Sequence, residues 1–132
     1  MIGSTNATYR SEAPTRLLID DPTHEIHRPD IGRTLQNVWN KSVTYTLSQY
    51  NSEHFKIGTE IAFIRCGTDE NLNVSIVGTD GIRFGVIGDE IYENAKVTIS
   101  DFLGMIALRK IEDDFENGDL WVVIGNVEVE TT

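Results

Sequence analysis

The stretch "DLWVVIGNVEVETT", residues 119–132, decides the fold of this chain. Trp121 stands at the head of an apolar run, Gly125 interrupts that run, and valine then alternates with glutamate. The alternation puts Val127 and Val129 on one face of an extended backbone and the glutamates on the other. The pattern predicts a half-buried β-strand. Trp121 is expected to fill one end of a core, and Gly125 to let a neighbouring strand or chain approach closely.

The same period of two recurs upstream. The alternating runs are "VTYTL" (43–47), "LNVSIVG" (72–78) and "IRFGVIG" (82–88), and the runs that are apolar on both faces are "TEIAFIRC" (59–66) and "LWVVI" (120–124). Turn signals separate the runs at intervals of about 8–12 residues, which is typical of a sandwich or barrel. The predicted fold class is therefore all-β: an antiparallel β-sandwich or jelly-roll-like module in residues 33–132, preceded by an extended N-terminal arm in residues 1–32.

Some segments between these runs are less regular. Residues 100–115 fit either a capped helix or a strand, and Gly104 favours the strand. The stretch "SQYNSEH" (48–54) is compatible with a single helical turn, and Asn117-Gly118 is a good tight-turn pair.

The front of the chain has a different composition. All the prolines, Pro14, Pro22 and Pro29, fall in residues 1–32, which show little hydrophobic periodicity. Proline lacks a backbone donor and biases the preceding residue toward extended geometry. We expect an arm that becomes ordered on docking to a partner, with a disordered tail as the alternative. The residues expected to bind that partner are Arg16, Leu17, Leu18, Ile19 and Ile26.

The charge of the chain is strongly acidic and unevenly distributed. Of the net charge of −10, residues 1–35 carry −1 (four arginines, five acids) and residues 36–132 carry −9 (seven bases, sixteen acids). A module of this charge repels phosphate backbones, so nucleic acid is not an expected partner. No run reaches the roughly 18 apolar residues of a membrane helix, so no membrane partner is expected. The polar start and the single Cys66 favour synthesis and assembly in a reducing cytoplasm.

The histidines are candidates for a metal site. His24 and His27 form an H-x-x-H pair with Glu25 between them, and His54 is distant in sequence. Zinc needs three or four ligands, and only Cys66 could add a thiolate, from inside a patterned strand. The histidines are therefore interpreted as solvated side chains, and no metal or other cofactor is expected.

Other chemistry finds little support in the sequence. An EF-hand loop starting at Asp113 would need glutamate at its twelfth position, where Ile124 stands, although calcium in another loop geometry stays open. There is no G-x-S-x-G, Walker or G-x-G-x-x-G motif, and no pair of carboxylates is singled out as in a glycosidase. No catalytic residue is predicted. The aromatic residues are expected mainly in the core, with a carbohydrate platform as the alternative.

From residue 30 to 127 the ordered signals resemble a β-module common in tail-fibre, head-fibre and decoration proteins of tailed bacteriophages. The matching positions are "VTYTL" (43–47) for the opening strand, Phe55, Gly58 and Thr59 for the next turn, Gly81-Ile82 for the central hairpin, and Leu108, Lys110-Ile111, Trp121 and Gly125 for the closing strands. The chain departs from that module at "RCGTDEN" (65–71) and in the longer loop "EDDFENGD" (112–119). The resemblance implies an oligomeric, often trimeric, virion component without catalytic residues.

These observations lead to one principal expectation and one alternative. We expect a non-enzymatic bacteriophage virion structural protein, a capsid decoration (cement) or small fibre protein, attached through its N-terminal arm. Its expected partners are other virion proteins (major capsid, portal or tail protein) and further copies of itself, as a trimer, and its expected location is the virion. The alternative is a receptor- or glycan-binding β-sandwich module of a tail fibre, with a host-surface glycan as partner.

Overall fold

The computed structural model describes residues 16–131, and these residues are nearly all β. The strands are β1 (Arg16–Ile19), β2 (Thr23–Glu25), β3 (Thr34–Asn37), β4 (Val43–Ser48), β5 (Glu60–Ile64), β6 (Val74–Thr79), β7 (Arg83–Val86), β8 (Ile91–Glu93), β9 (Lys96–Ile99), β10 (Met105–Glu112), β11 (Leu120–Ile124) and β12 (Val127–Glu130). A 3-10 turn spans Arg28–Asp30, and a one-turn helix, α1, spans Gln49–Ser52. Within this part of the chain, no helix is long and apolar enough to cross a bilayer.

The strands form two sheets that pack together as a sandwich. The seven-stranded sheet has the order β1-β3-β5-β10-β11-β7-β8, and the five-stranded sheet has the order β12-β9-β6-β4-β2. The all-β prediction is confirmed, but both sheets are mixed and not antiparallel throughout: β1–β3, β3–β5, β2–β4, β4–β6 and β7–β11 pair in parallel. The reason is the chain path. From β1 to β6 successive strands alternate between the sheets, so β1, β3 and β5 run in the same direction in one sheet, and β2, β4 and β6 do so in the other. The parallel pair β7–β11 joins strands that are distant in the chain.

The core lies between the sheets and is built from the predicted inward positions. Tyr45 and Leu47 from β4 face Phe63 from β5, and all three are fully buried. The rings of Tyr45 and Phe63 lie 4.9 Å apart. Trp121 is fully buried, as its place at the head of the apolar run predicted. A Cβ at Gly125 would lie 2.8 Å from Ile106 Cγ2, so β10 does approach closely there.

The predicted boundary at residue 32 is wrong for the part of the arm that the structure describes. Strand β1 pairs with β3 in one sheet, and β2 pairs with β4 in the other, so residues 16–25 belong to the sandwich. Ile19 and Ile26 are buried core residues, and Leu17 packs against the core. Burial of these side chains in the chain's own core stabilises the segment, so no partner is needed to order it. Residues 1–15 lie outside the described residues.

The segments that the sequence left less certain adopt the expected conformations, a strand after residue 100 and a helical turn near residue 50. Strand β10, with eight residues, covers half of residues 100–115. Helix α1 is the predicted helical turn, and it begins where Asn51 N donates to Ser48 Oγ at 3.2 Å. Asn117 and Gly118 lie in the turn between β10 and β11, with Gly118 at a φ of 93° that suits glycine.

Candidate functional site

The outer surface of the seven-stranded sheet is unusually apolar. Register places a set of apolar side chains, interrupted by Gln36 in β3, on the surface opposite the core, which we call the apolar face. Its members are Leu18, Ala62, Ile64, Ile91, Met105, Ala107, Val122 and Ile124. Leu18, Ile91, Met105 and Ile124 are 49, 54, 56 and 40% exposed.

The rows of this face each cross part of the sheet. Leu18 lies beside Gln36, Gln36 beside Ile64, and Ile64 beside Met105. A second row joins Ala62, Ala107 and Ile124 through the centre of the sheet. Six strand spacings of about 4.8 Å make the face about 29 Å wide, and five residues of about 3.3 Å make it about 16 Å high. Contiguous exposed apolar patches larger than a few hundred Å² are rare on monomers and are typical of interaction sites, so this face is the candidate interaction surface.

The apolar face is electrically balanced, although the chain is not. The ionisable side chains that the strands place on this surface are Arg16, Arg83 and Arg109 with Glu60, Glu93 and Glu112, so the charges of these strand residues sum to zero. From the loop before β11, Asp114 Oδ2 also lies 3.8 Å from Arg83 Nη2. Two neighbouring pairs cancel directly: Arg83 Nη2 lies 2.8 Å from Glu112 Oε1, and Arg109 Nη1 lies 3.4 Å from Glu60 Oε2. The net charge of −10 therefore resides elsewhere on the molecule.

The opposite surface has another chemistry. Outward positions of the five-stranded sheet are rich in hydroxyl groups, and at its β12 edge Glu128 and Glu130 face outward. A shallow depression at one end of this sheet is lined by Thr23, His24, Glu25, Thr46, Ser48, Tyr50, Thr79 and Asp80. Tyr50 is 71% exposed there. An exposed tyrosine beside hydroxyls and carboxylates offers a stacking surface and hydrogen-bond partners to a polar ligand.

A buried polar cluster closes one end of the core. Lys110 points inward from β10, and its Nζ lies 2.9 Å from Asp119 Oδ2 and donates to Ser52 O at 2.7 Å and Phe55 O at 2.9 Å. Ser52 Oγ donates to Asp119 Oδ2 at 2.6 Å and accepts from Trp121 Nε1 at 2.8 Å. The side chains of Lys110, Ser52 and Asp119 are all essentially inaccessible to solvent. A substrate cannot reach them, so this Ser-Lys-Asp group ties α1 to β10 and β11.

The pKa of Asp119 reflects this environment. Burial acts to raise the pKa of the carboxyl group, but hydrogen bonds from Ser52, the Asp114 amide and Lys110 outweigh burial, and the pKa is lowered. The carboxylate therefore stays charged and neutralises the buried ammonium group of Lys110.

The histidine pair lies in a more structured environment than the sequence suggested. His24 is the middle residue of β2, is mostly buried, and packs edge-on against Tyr45 at 5.9 Å. Its Nε2 lies 2.9 Å from Oδ2 of the fully buried Asp30, and His27 Nε2 lies 3.9 Å from Asp30 Oδ1. The interpretation of both histidines as solvated side chains is wrong for His24, whereas His27 is about half exposed. Asp30 was missed because only cysteine and histidine were considered as further ligands.

The residues predicted to bind a partner do not form one surface. Ile19, Ile26 and Leu17 face the core, while Leu18 and Arg16 lie on the surface that carries the apolar face. The other members of the apolar face come from several strands. The sequence does not predict which of these strands are neighbours in the sheet, so it could not predict that their outward residues lie side by side. Register between β3, β5, β10 and β11 is the information that brings them together.

Comparison with known proteins adds no relative: no protein-family model, curated protein or solved structure matches this chain.

Proposed function

We propose that this chain is a non-enzymatic structural protein of a bacteriophage virion, a capsid decoration or small fibre protein. In this proposal it assembles through the apolar face with further copies of itself, and a trimer is the expected state. The observation that carries the proposal is a neutral, apolar sheet surface on a chain of net charge −10.

A second copy of the chain is the occupant that fits this face best. Two chains of charge −10 repel each other, so they can associate only where the local charge is balanced. The face meets that condition, and its arginines and glutamates provide both signs for heterologous contacts between neighbouring copies around a threefold axis. Burial of Met105 and Ile124, both exposed in the single chain, stabilises such a contact by removing apolar area from water.

The virion assignment rests on the ordered motif series as well as on this face. Two parts of that series coincide with strands: "VTYTL" lies in β4, and Trp121 lies in β11. Gly81-Ile82 does not form the expected central hairpin, because β6 and β7 belong to different sheets. A sandwich that presents one apolar face and one polar face suits a protein that packs against neighbours on a particle and exposes its other side. The partners in this proposal are the virion proteins on which the oligomer sits.

Self-association is tested by charge insertion into the apolar face. The double variant Met105→Glu/Ile124→Glu places two unpaired carboxylates at the centre of the contact, which costs several kcal/mol in a buried interface. Light scattering after size exclusion should show an oligomer for the wild type and a monomer for the variant. The matched control is Ile87→Glu, an equally drastic change at an isoleucine that is 67% exposed in the β7–β8 turn. A monomeric wild type at high concentration, or an oligomer in the double variant, contradicts the proposal.

The virion location needs a separate test. Particles purified from the phage that encodes the chain should contain it in a fixed ratio to the capsid protein, measured by quantitative mass spectrometry. Immunogold labelling should then place it on the head or tail. Its absence from washed particles contradicts the location, even if the purified chain self-associates.

A second candidate function, a glycan-binding module, is favoured by the depression around Tyr50. Its exposed ring, the threonine hydroxyls and the carboxylates of Glu25 and Asp80 offer the stacking and hydrogen-bonding groups that sugars use. Glycan-array binding that is lost in Tyr50→Ala but kept in Met105→Glu/Ile124→Glu would favour this function over assembly alone.

A further inference from the structure

We propose that His24, His27 and Asp30 form a binding site for one divalent transition-metal ion, with Zn²⁺ as the expected occupant. The three residues offer one ligand atom each, and these atoms all lie within 4.8 Å of one another. Two imidazole nitrogens and a carboxylate oxygen form a donor set that zinc uses when a fourth position is left for water.

The distances fit an ion of this size. Bonds of about 2.0–2.1 Å in a tetrahedron separate neighbouring ligand atoms by about 3.4 Å. The observed separations of 2.9 Å (His24 Nε2 to Asp30 Oδ2) and 3.9 Å (His27 Nε2 to Asp30 Oδ1) lie on either side of this value. Each histidine lies against a different oxygen of the carboxylate, and the three ligand atoms lie within 4.8 Å of one another. An ion between the three groups therefore requires the side chains to shift toward it, and it replaces the contact between His24 and Asp30.

A second observation points to a ligand at this position. Asp30 Oδ1 is buried and has no hydrogen-bond partner among the described residues, and the whole Asp30 side chain is inaccessible to solvent. An unpaired buried carboxylate oxygen is costly, whereas coordination to a cation satisfies it. The other oxygen, Oδ2, accepts from the His27 amide at 3.0 Å, and this bond holds the carboxylate in place as a ligand.

The surroundings orient the ligands and leave a route for the ion. The edge-on contact with Tyr45 fixes the ring of His24, while the exposed His27 borders a shallow surface depression with Thr23, Glu25 and Asn51. Solvent reaches the site from that side, so an ion can enter and a water molecule can occupy the fourth position. The negative net charge of the chain favours cation entry.

A metal ion at this site would stabilise the segment that connects the two sheets. His24 lies in β2 of the five-stranded sheet, and Asp30 closes the 3-10 turn that leads to β3 in the seven-stranded sheet. Because the ion binds only when this segment has its folded shape, metal binding stabilises the folded state.

The test uses the full chain without an affinity tag, stripped with a chelator and dialysed. Titration calorimetry with Zn²⁺ should give one ion per chain, Co²⁺ should give a tetrahedral absorption spectrum, and Mg²⁺ and Ca²⁺ should not bind. At free Zn²⁺ of about one hundred times the dissociation constant, linkage raises the ratio of folded to unfolded protein about a hundredfold, seen as a higher Tm.

Ligand variants assign the site. His27→Gln should weaken Zn²⁺ binding by at least about tenfold, since even changes beyond the direct ligands cost 10–100-fold. Because His27 is half exposed, this variant should fold, which circular dichroism checks. His54→Gln, at the remaining histidine of the chain, is the matched control and should bind Zn²⁺ like the wild type. No stoichiometric Zn²⁺ binding, equal binding in His27→Gln, or equal loss in His54→Gln would overturn the proposal.

Discussion

A lysine amine inside the sandwich shows how a single residue can break the apolar pattern of a strand and still fit the core. Lys110 takes an inward position of β10, where Leu108 and Ile106 stand two and four residues earlier. Its charge is tolerated because Asp119 and two backbone carbonyls surround the amine. A buried pair of this kind contributes little when it is complete, but loss of one partner is costly.

At the residue scale we therefore predict the effect of Asp119→Asn. The variant leaves the buried Lys110 with only the half-exposed Asp113 as a neighbouring carboxylate, at 2.5 Å. The free energy of unfolding at pH 7 should fall by about 3 kcal/mol, the lower end for a broken buried pair. Urea unfolding measures this difference. Asp20→Asn, which removes an exposed carboxylate, should change stability by no more than about 0.5 kcal/mol.

The pH dependence of this difference has a definite sign. The folded-state pKa of Asp119 is lowered, so its contribution to stability is fully present above the unfolded pKa of about 3.9. The contribution is lost as the pH falls through the lowered folded value. The gap in unfolding free energy between wild type and Asp119→Asn should therefore be constant from pH 7 to 5 and become narrower at pH 3. A gap that widens on acidification would contradict this assignment.

At the scale of elements, residues 16–32 are the clearest difference between expectation and structure. Their prolines and polar residues suggested an arm, yet β1 and β2 each add an edge strand to a sheet. Edge strands can be short and irregular because only one side of each must pair, and proline is tolerated next to them. Composition alone could not distinguish such strands from an extended arm.

Because residues 16–26 belong to the sandwich, truncation of two apolar residues of this segment should lower the free energy of unfolding by very different amounts. Ile26 is fully buried, so Ile26→Ala should lower the free energy of unfolding by about 2–5 kcal/mol. Leu18 is about half exposed, so Leu18→Ala should change it by no more than about 0.5 kcal/mol. Chemical unfolding of the two variants provides the measurement. Equal and small effects would restore the view that this segment is not part of the core.

The inward positions were predictable from sequence, whereas strand direction was not. Alternation in "VTYTL" correctly places Tyr45 and Leu47 in the core, because side chains of successive strand residues point to opposite faces. The same alternation is compatible with parallel or antiparallel neighbours, so the parallel pairing of β4 with β6 carries no signal of its own. The sequence likewise did not identify Asp30 as a possible ligand, because only the folded 24–30 segment shows that it lies beside the two histidines.

At the scale of the whole molecule, the two sheets present surfaces of opposite character. One is apolar and has no net charge, whereas the other is rich in hydroxyl groups and carries acidic residues along its β12 edge. Because of this asymmetry, the proposed contact between copies can form only through the apolar face. The acidic surfaces repel each other and stay outside the contact. The balance between contact and repulsion then depends on ionic strength.

The salt dependence of self-association is the final prediction. The apolar contact hardly depends on salt, but repulsion between chains of charge −10 is screened as the Debye length falls from about 30 Å at 0.01 M to about 3 Å at 1 M. Sedimentation velocity should therefore show stronger association as salt increases. Glu128→Gln/Glu130→Gln, which removes two charges distant from the apolar face, should strengthen association at low salt and have little effect at high salt. Weaker association at high salt would instead indicate that ion pairs, such as those of Arg109 or Glu60, hold the copies together.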